Sequence, residues 1–120
     1  RKKVSFLRHV LREMALSGIE ALHIRVEQLG RKVAAARSYD VITSRAYSAV
    51  APFVRAAWPL LRSKGRIIAF KGDVSSAELN ALRDVVAGGE LGAHITLEQI
   101  GYSLSGLKSE RSLLIVGRGN

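Results

Sequence analysis

Between Tyr39 and Arg62 the chain passes from a short β-branched run into a helix-period segment with only four residues between them. Val41, Ile42 and Thr43 are strand formers. From Ser48 to Arg62, Val50, Phe53, Val54, Ala57, Trp58 and Leu61 fall on one broad helical face. A strand that feeds directly into a helix is the α/β unit, and it restricts the chain to a layered sheet with flanking helices. Ligands of open α/β sheets bind beyond the carboxyl ends of the strands. Ser44 and Arg45 are expected to stand at that edge. On position alone, Arg45 is either a ligand-facing guanidinium or a charge that solvates the strand end.

The rest of the chain supplies the same kinds of element. Val4, Leu7, Leu11 and Met14 give Lys2 to Leu16 the stripe of a helix, which Ser17-Gly18 is expected to stop. Ala21 to Val26 alternates as a strand does, and Gln28 to Ser38 reads as a loop or short helix. Pro52 fits the first turn of the helix over Ser48–Arg62, whereas Pro59 predicts a kink or an end near Trp58. Ser63-Lys64-Gly65 is read as a stop before a buried strand at Arg66 to Phe70. Ser75 or Ser76 then caps a helix through Val86, with Glu78 three residues after Ser75, and Gly88-Gly89 ends it. His94 to Ile100 and Ser112 to Val116 read as two strands joined by an elaborated hairpin, hence antiparallel. The order predicts a mostly parallel α/β sheet finishing in an antiparallel pair, within one domain over residues 1–120.

Charge narrows the class of partner. Nineteen Lys and Arg against ten Asp and Glu leave a formal charge of +9, which favours phosphate and makes RNA or DNA the leading ligand class. No run of apolar residues is long enough for a transmembrane helix, and Arg8, His9, Arg12 and Glu13 interrupt any signal-peptide core after the basic Arg1-Lys2-Lys3. With no cysteine there is neither a disulfide framework nor a thiolate metal site. A cytoplasmic protein without membrane or metal is the expectation. His9, His23 and His94 share no ligand spacing and are read as structural or surface residues.

Four short segments then fall in a distinctive order: Arg25-Val26-Glu27, Thr43-Ser44-Arg45-Ala46, Phe70-Lys71-Gly72 and Glu110-Arg111-Ser112-Leu113-Leu114, after an opening Lys2-Lys3-Val4-Ser5-Phe6-Leu7. In these the chain resembles the RsmG family, also called GidB, of S-adenosyl-L-methionine-dependent methyltransferases acting on guanine N7 of small-subunit ribosomal RNA. The resemblance runs through essentially the whole chain but matches only the C-terminal part of the family pattern. It implies a Rossmann-like class I methyltransferase sheet, N-terminally truncated, because the family's Gly-rich cofactor loop falls before Arg1 and no G-x-G-x-G occurs here. Two positions depart from the family: Ser105 stands where a proline is usual, and the last strand ends Val116-Gly117-Arg118 rather than in lysines.

By the same resemblance, Val26 and Glu27 lie along the adenine of the cofactor, and Arg45 contacts cofactor or substrate. Lys71 and Arg111 line the same crevice and meet the RNA, unless they are merely exposed basic side chains. No catalytic residue is implied: N7 of guanine has a lone pair and no proton, so attack on a sulfonium methyl requires alignment rather than a general base. The truncated chain is expected to bind cofactor weakly or not at all, and to dimerise or rearrange its Ala21–Val26 strand where sheet edges are left unpaired. A non-catalytic RNA-binding module is the competing reading.

Overall fold

The computed structural model describes residues 2–19, 25, 28–29, 37–45, 49–72, 74–103 and 111–119. Helix α1 spans Lys2–Glu13. Its end differs from expectation. Ala15, at φ 50°, takes the left-handed position, and the chain turns there rather than at Gly18. The Leu16 N–H reaches back to the Leu11 carbonyl at 3.0 Å and the Ala15 N–H to that of Arg12 at 3.1 Å. These are the paired bonds of a Schellman ending, which satisfy carbonyls that the last turn would otherwise strand. The strand expected over Ala21–Val26 falls outside the described residues except for Arg25, as does most of the Gln28–Ser38 segment.

Strand β1 (Tyr39–Ser44) leads to helix α2 (Val50–Ala57), a 3₁₀ turn (Trp58–Leu60) and strand β2 (Leu61–Lys71). Helix α3 (Ser76–Ala87) and strands β3 (Ile95–Tyr102) and β4 (Arg111–Arg118) complete the fold. The four strands lie in the order β1-β2-β4-β3. β1 and β2 are parallel, and β4 runs antiparallel to both β2 and β3. Three strands therefore point one way and the fourth threads back between two of them. This is the α/β class and the antiparallel final pair anticipated from the sequence.

Pro59 acts as expected: α2 gives way to a 3₁₀ turn carrying it near the start. The next segment departs from expectation. Ser63-Lys64-Gly65 is no stop, because β2 begins at Leu61 and runs eleven residues. Its register against β1 jumps from Tyr39↔Leu61 to Val41↔Arg66. The surplus residues bulge out, with Lys64 at φ 65°. A Cβ on Gly65 would lie 2.7 Å from Leu61 Cδ1, 2.8 Å from the Arg62 carbonyl and 2.9 Å from that of Asp40, so only glycine fits the bulge.

The core sits on one face of the sheet. Ile67 and Ala69 of β2 stand beside Val116 and Leu114 of β4 in register, and alternation along each strand puts all four on the same side. Val50, Phe53, Val54 and Ala57 of α2, together with Leu82 of α3, close over them. Trp58 seals the edge, its indole N–H donating to the Leu91 carbonyl at 2.9 Å. The α3 cap is as the sequence predicts: the Ser75 hydroxyl accepts from the Glu78 N–H at 3.1 Å. The reciprocal half of a capping box is missing, since the Glu78 carboxylate is engaged elsewhere.

A basic crevice at the carboxyl ends of the strands

Arg45 follows the last residue of β1, and Lys71 closes β2. Because β4 is antiparallel, its first residue, Arg111, lies at this same edge, opposite Tyr102 at the end of β3. The topology thus brings three cations from three separate stretches of sequence to one end of the sheet. They line a crevice of about 480 Å³ with Phe70, Gly72 and Tyr102. Of the five residues the sequence singles out, Arg45, Lys71 and Arg111 are gathered here; Val26 and Glu27 lie outside the described residues. Phe70 and Tyr102 were not anticipated as lining residues. Only the strand register, which sets Tyr102 against Arg111, discloses that they share a wall.

The three cations differ in their electrostatic surroundings. Lys71 Nζ sits 3.0 Å from Glu78 Oε1, with both side chains about five-sixths buried (16% and 17% exposed). The same oxygen accepts the Val50 N–H at 3.2 Å. Ala49, at the N-cap of α2, has no side-chain acceptor, so a carboxylate from α3 caps α2 in its place. Glu78 therefore matches the Lys71 charge. Arg45 is exposed and Arg111 half-buried, and neither forms an ion pair with a described residue. Arg111 Nε is buried without a hydrogen-bond acceptor among the described residues. A buried donor left unpaired is costly. The arrangement offers two guanidinium groups and flanking aromatic rings, a donor set suited to phosphate or carboxylate and to planar bases.

The family described as GidB, rRNA small subunit methyltransferase G, matches residues 1–94. A ribosomal RNA small subunit methyltransferase G from Geobacter sp. (strain M21) is 39% identical over 98% of this chain and 52% of its own length. One from Geobacter metallireducens is 37% identical over 99% of this chain and 52% of its own length. The chain thus spans about half the length of these curated relatives. Among solved structures, an rRNA methylase from Streptococcus thermophilus superimposes with a TM-score of 0.59 at 13% identity, over 94% of this chain and 65% of that one. A SAM-dependent O-methyltransferase from Thermotoga maritima gives 0.57 at 10% identity, over all of this chain and 48% of that one. These two likenesses show the fold, that of the Rossmann-like methyltransferases. With the family match covering most of the sequence and the relatives well above 30% identity, this chain belongs to the GidB family of rRNA small subunit methyltransferases G.

Proposed function

We propose that this chain is the part of an S-adenosyl-L-methionine-dependent methyltransferase that receives small-subunit ribosomal RNA and aligns guanine N7 for methyl transfer. The observation that carries this reading is the convergence of Arg45, Lys71 and Arg111 with Phe70 and Tyr102 at the carboxyl ends of the strands. Arg45 and Arg111 bind phosphate, and the rings flank a base. Positioning is the chemistry required, since guanine N7 needs no proton removed before it attacks.

S-adenosylmethionine supplies an activated methyl group when bound. The described donors fit the carboxylate at one end of that molecule; they do not fit its sulfonium, which cations repel, nor do they include an adenine pocket. Positions 26 and 27, given to adenine by the family resemblance, lie outside the described residues. Arg45 would hold whichever anion, RNA phosphate or cofactor carboxylate, occupies the crevice. The same donor set favours a second reading, an RNA-binding module without turnover.

Incubating the full-length protein with methyl-labelled S-adenosylmethionine and small-subunit rRNA, then analysing nucleosides by mass spectrometry, tests the two. N7-methylguanosine supports the methyltransferase. Salt-dependent RNA binding without methyl transfer supports the module, and loss of both readouts overturns the role given to the crevice. No described helix is long and apolar enough to cross a membrane. An rRNA substrate sets the work of the protein in the cytoplasm. β1 is an outer strand of the described sheet. Pairing along it is the form a homodimer would take, which light scattering after size exclusion tests.

A further inference from the structure

At the opposite end of the strands lies a second basic hollow. Lys64 and Arg66 of β2, His94 and Thr96 at the start of β3, and Arg118 with its flanking glycines at the end of β4 enclose about 210 Å³. No carboxylate is among the described residues that line it. Asp40, on the adjacent strand, is bound to Arg62 at 2.9 Å. Arg118 is fixed rather than waving: its Nη1 donates to the Trp58 carbonyl at 3.1 Å and the Leu61 carbonyl at 3.0 Å, and its guanidinium lies 5.1 Å from the Trp58 ring centre. Burial, and then the like charge of Arg37, pull its pKa below the ordinary arginine value. Lys64 and Arg66, by contrast, are exposed and form no ion pair with a described residue, and unmatched charges of this kind attract an anion.

Two residues that border the hollow have left-handed backbone, Lys64 within the bulge of β2 and His94 just before β3. Lys64 at φ 65° and His94 at φ 60° are two of the four described non-glycine residues in the left-handed region. They face one another across the hollow, joined through Gly119, whose N–H donates to the His94 carbonyl at 2.8 Å and whose carbonyl accepts the Lys64 N–H at 3.4 Å. Histidine is among the residue types enriched in this conformation, whereas lysine is not. Strain of this kind concentrates where a site is held in shape. A Cβ on Gly119 would lie 2.5 Å from the His94 carbonyl oxygen, so the tight floor depends on its absence.

We infer that the hollow bounded by Lys64, Arg66, His94 and Arg118 is a second phosphate site, taking a phosphodiester of the same RNA whose base enters the crevice at the other end. The run of β2 from Arg66 to Lys71 separates the two ends by about 17 Å at a rise of roughly 3.3 Å per residue. A continuous polynucleotide reaches both. The inference rests on the RNA reading above, and the test separates the two.

Binding of a fluorescein-labelled single-stranded RNA is measured by anisotropy across a salt series, with the full chain and with Lys64→Gln/Arg66→Gln. Removing one phosphate-binding cation lowers the slope of log K against log salt by about 0.7 on a single strand, so the double variant is expected to fall by about 1.4. Lys3→Gln/Arg83→Gln removes equal charge from exposed helical positions and is expected to leave the slope within error. Glutamine carries the same left-handed penalty as lysine at position 64, so the backbone is not further strained. Should the double variant unfold, Arg66→Gln alone, an exposed strand side chain, is read for a drop of about 0.7. A slope unchanged in the double variant, or lowered as much by the helical control, overturns the second site. If Arg111→Gln lowers the slope while Lys64→Gln/Arg66→Gln does not, the crevice reading stands alone; if neither does, both fall.

Discussion

Lys71 and Glu78 meet at 3.0 Å in a largely buried pair whose carboxylate also holds the first N–H of α2. One side chain thus ties the end of β2, the start of α3 and the start of α2. Glu78→Ala leaves Lys71 without its counter-charge and the Val50 N–H without its acceptor. It is expected to cost about 2–3 kcal/mol in urea unfolding. Glu78→Gln retains an acceptor oxygen and is expected to cost less, about 1 kcal/mol. Equal losses in the two variants would show that the bond to Val50 contributes nothing.

The same pair ranks the cations of the crevice. Arg111→Gln and Arg45→Gln are each expected to weaken RNA binding and to lower the salt slope by about 0.7, without loss of thermal stability. Lys71→Gln is expected to move the slope by less, because that charge is already matched by Glu78. A Lys71 variant with the largest salt effect would refute this ordering.

Gly65→Ala pushes a methyl group against three neighbours within 2.9 Å, two of them backbone carbonyls that cannot step aside. It is expected to destabilise by about 2–3 kcal/mol or more. Gly101→Ala, on a strand where an added Cβ meets nothing within 4 Å, is expected to be within about 0.5 kcal/mol of the parent. Matched chemical denaturation of the two variants decides whether crowding, rather than the loss of glycine itself, sets the cost.

Leu114 is fully buried among Ile67, Ala69 and Val116 on the covered face of the sheet. Leu114→Ala is expected to cost about 3 kcal/mol, the usual toll of a core cavity. Trp58→Phe keeps most of the ring but leaves the Leu91 carbonyl without its donor, and about 1 kcal/mol is expected. A larger loss for Trp58→Phe than for Leu114→Ala would place the centre of the core at the 3₁₀ turn instead of between sheet and helices.

What the sequence disclosed depended on the range of the physics involved. The Ser75 cap, the early Pro52 and the break at Pro59 are local effects, settled within one turn of chain, and all were legible. The position of Arg45 at a strand end followed from the same short-range pattern. The long β2 did not, because Lys64-Gly65 is common turn chemistry and only pairing with β1 makes it a bulge. Ala15 rather than Gly18 ends α1 for a similar reason: the bonds back to Leu11 and Arg12 outweigh the modest cost of a left-handed alanine. Glu78 was readable as half of a capping box, but its engagement with Lys71 and Val50 is a tertiary choice. The meeting of Arg111 with Tyr102, and of Lys64 with His94, required the strand order itself.

That order has a bearing on how the chain is made. β4, synthesised after the other three described strands, is the one that lies between β2 and β3. Until it arrives, β3 has no partner in the described sheet and β2 has only its parallel neighbour. Leu114 and Val116, which fill the middle of the core, arrive with it. A nascent chain halted before residue 111 therefore lacks these two core side chains and the strand that joins β3 to β2.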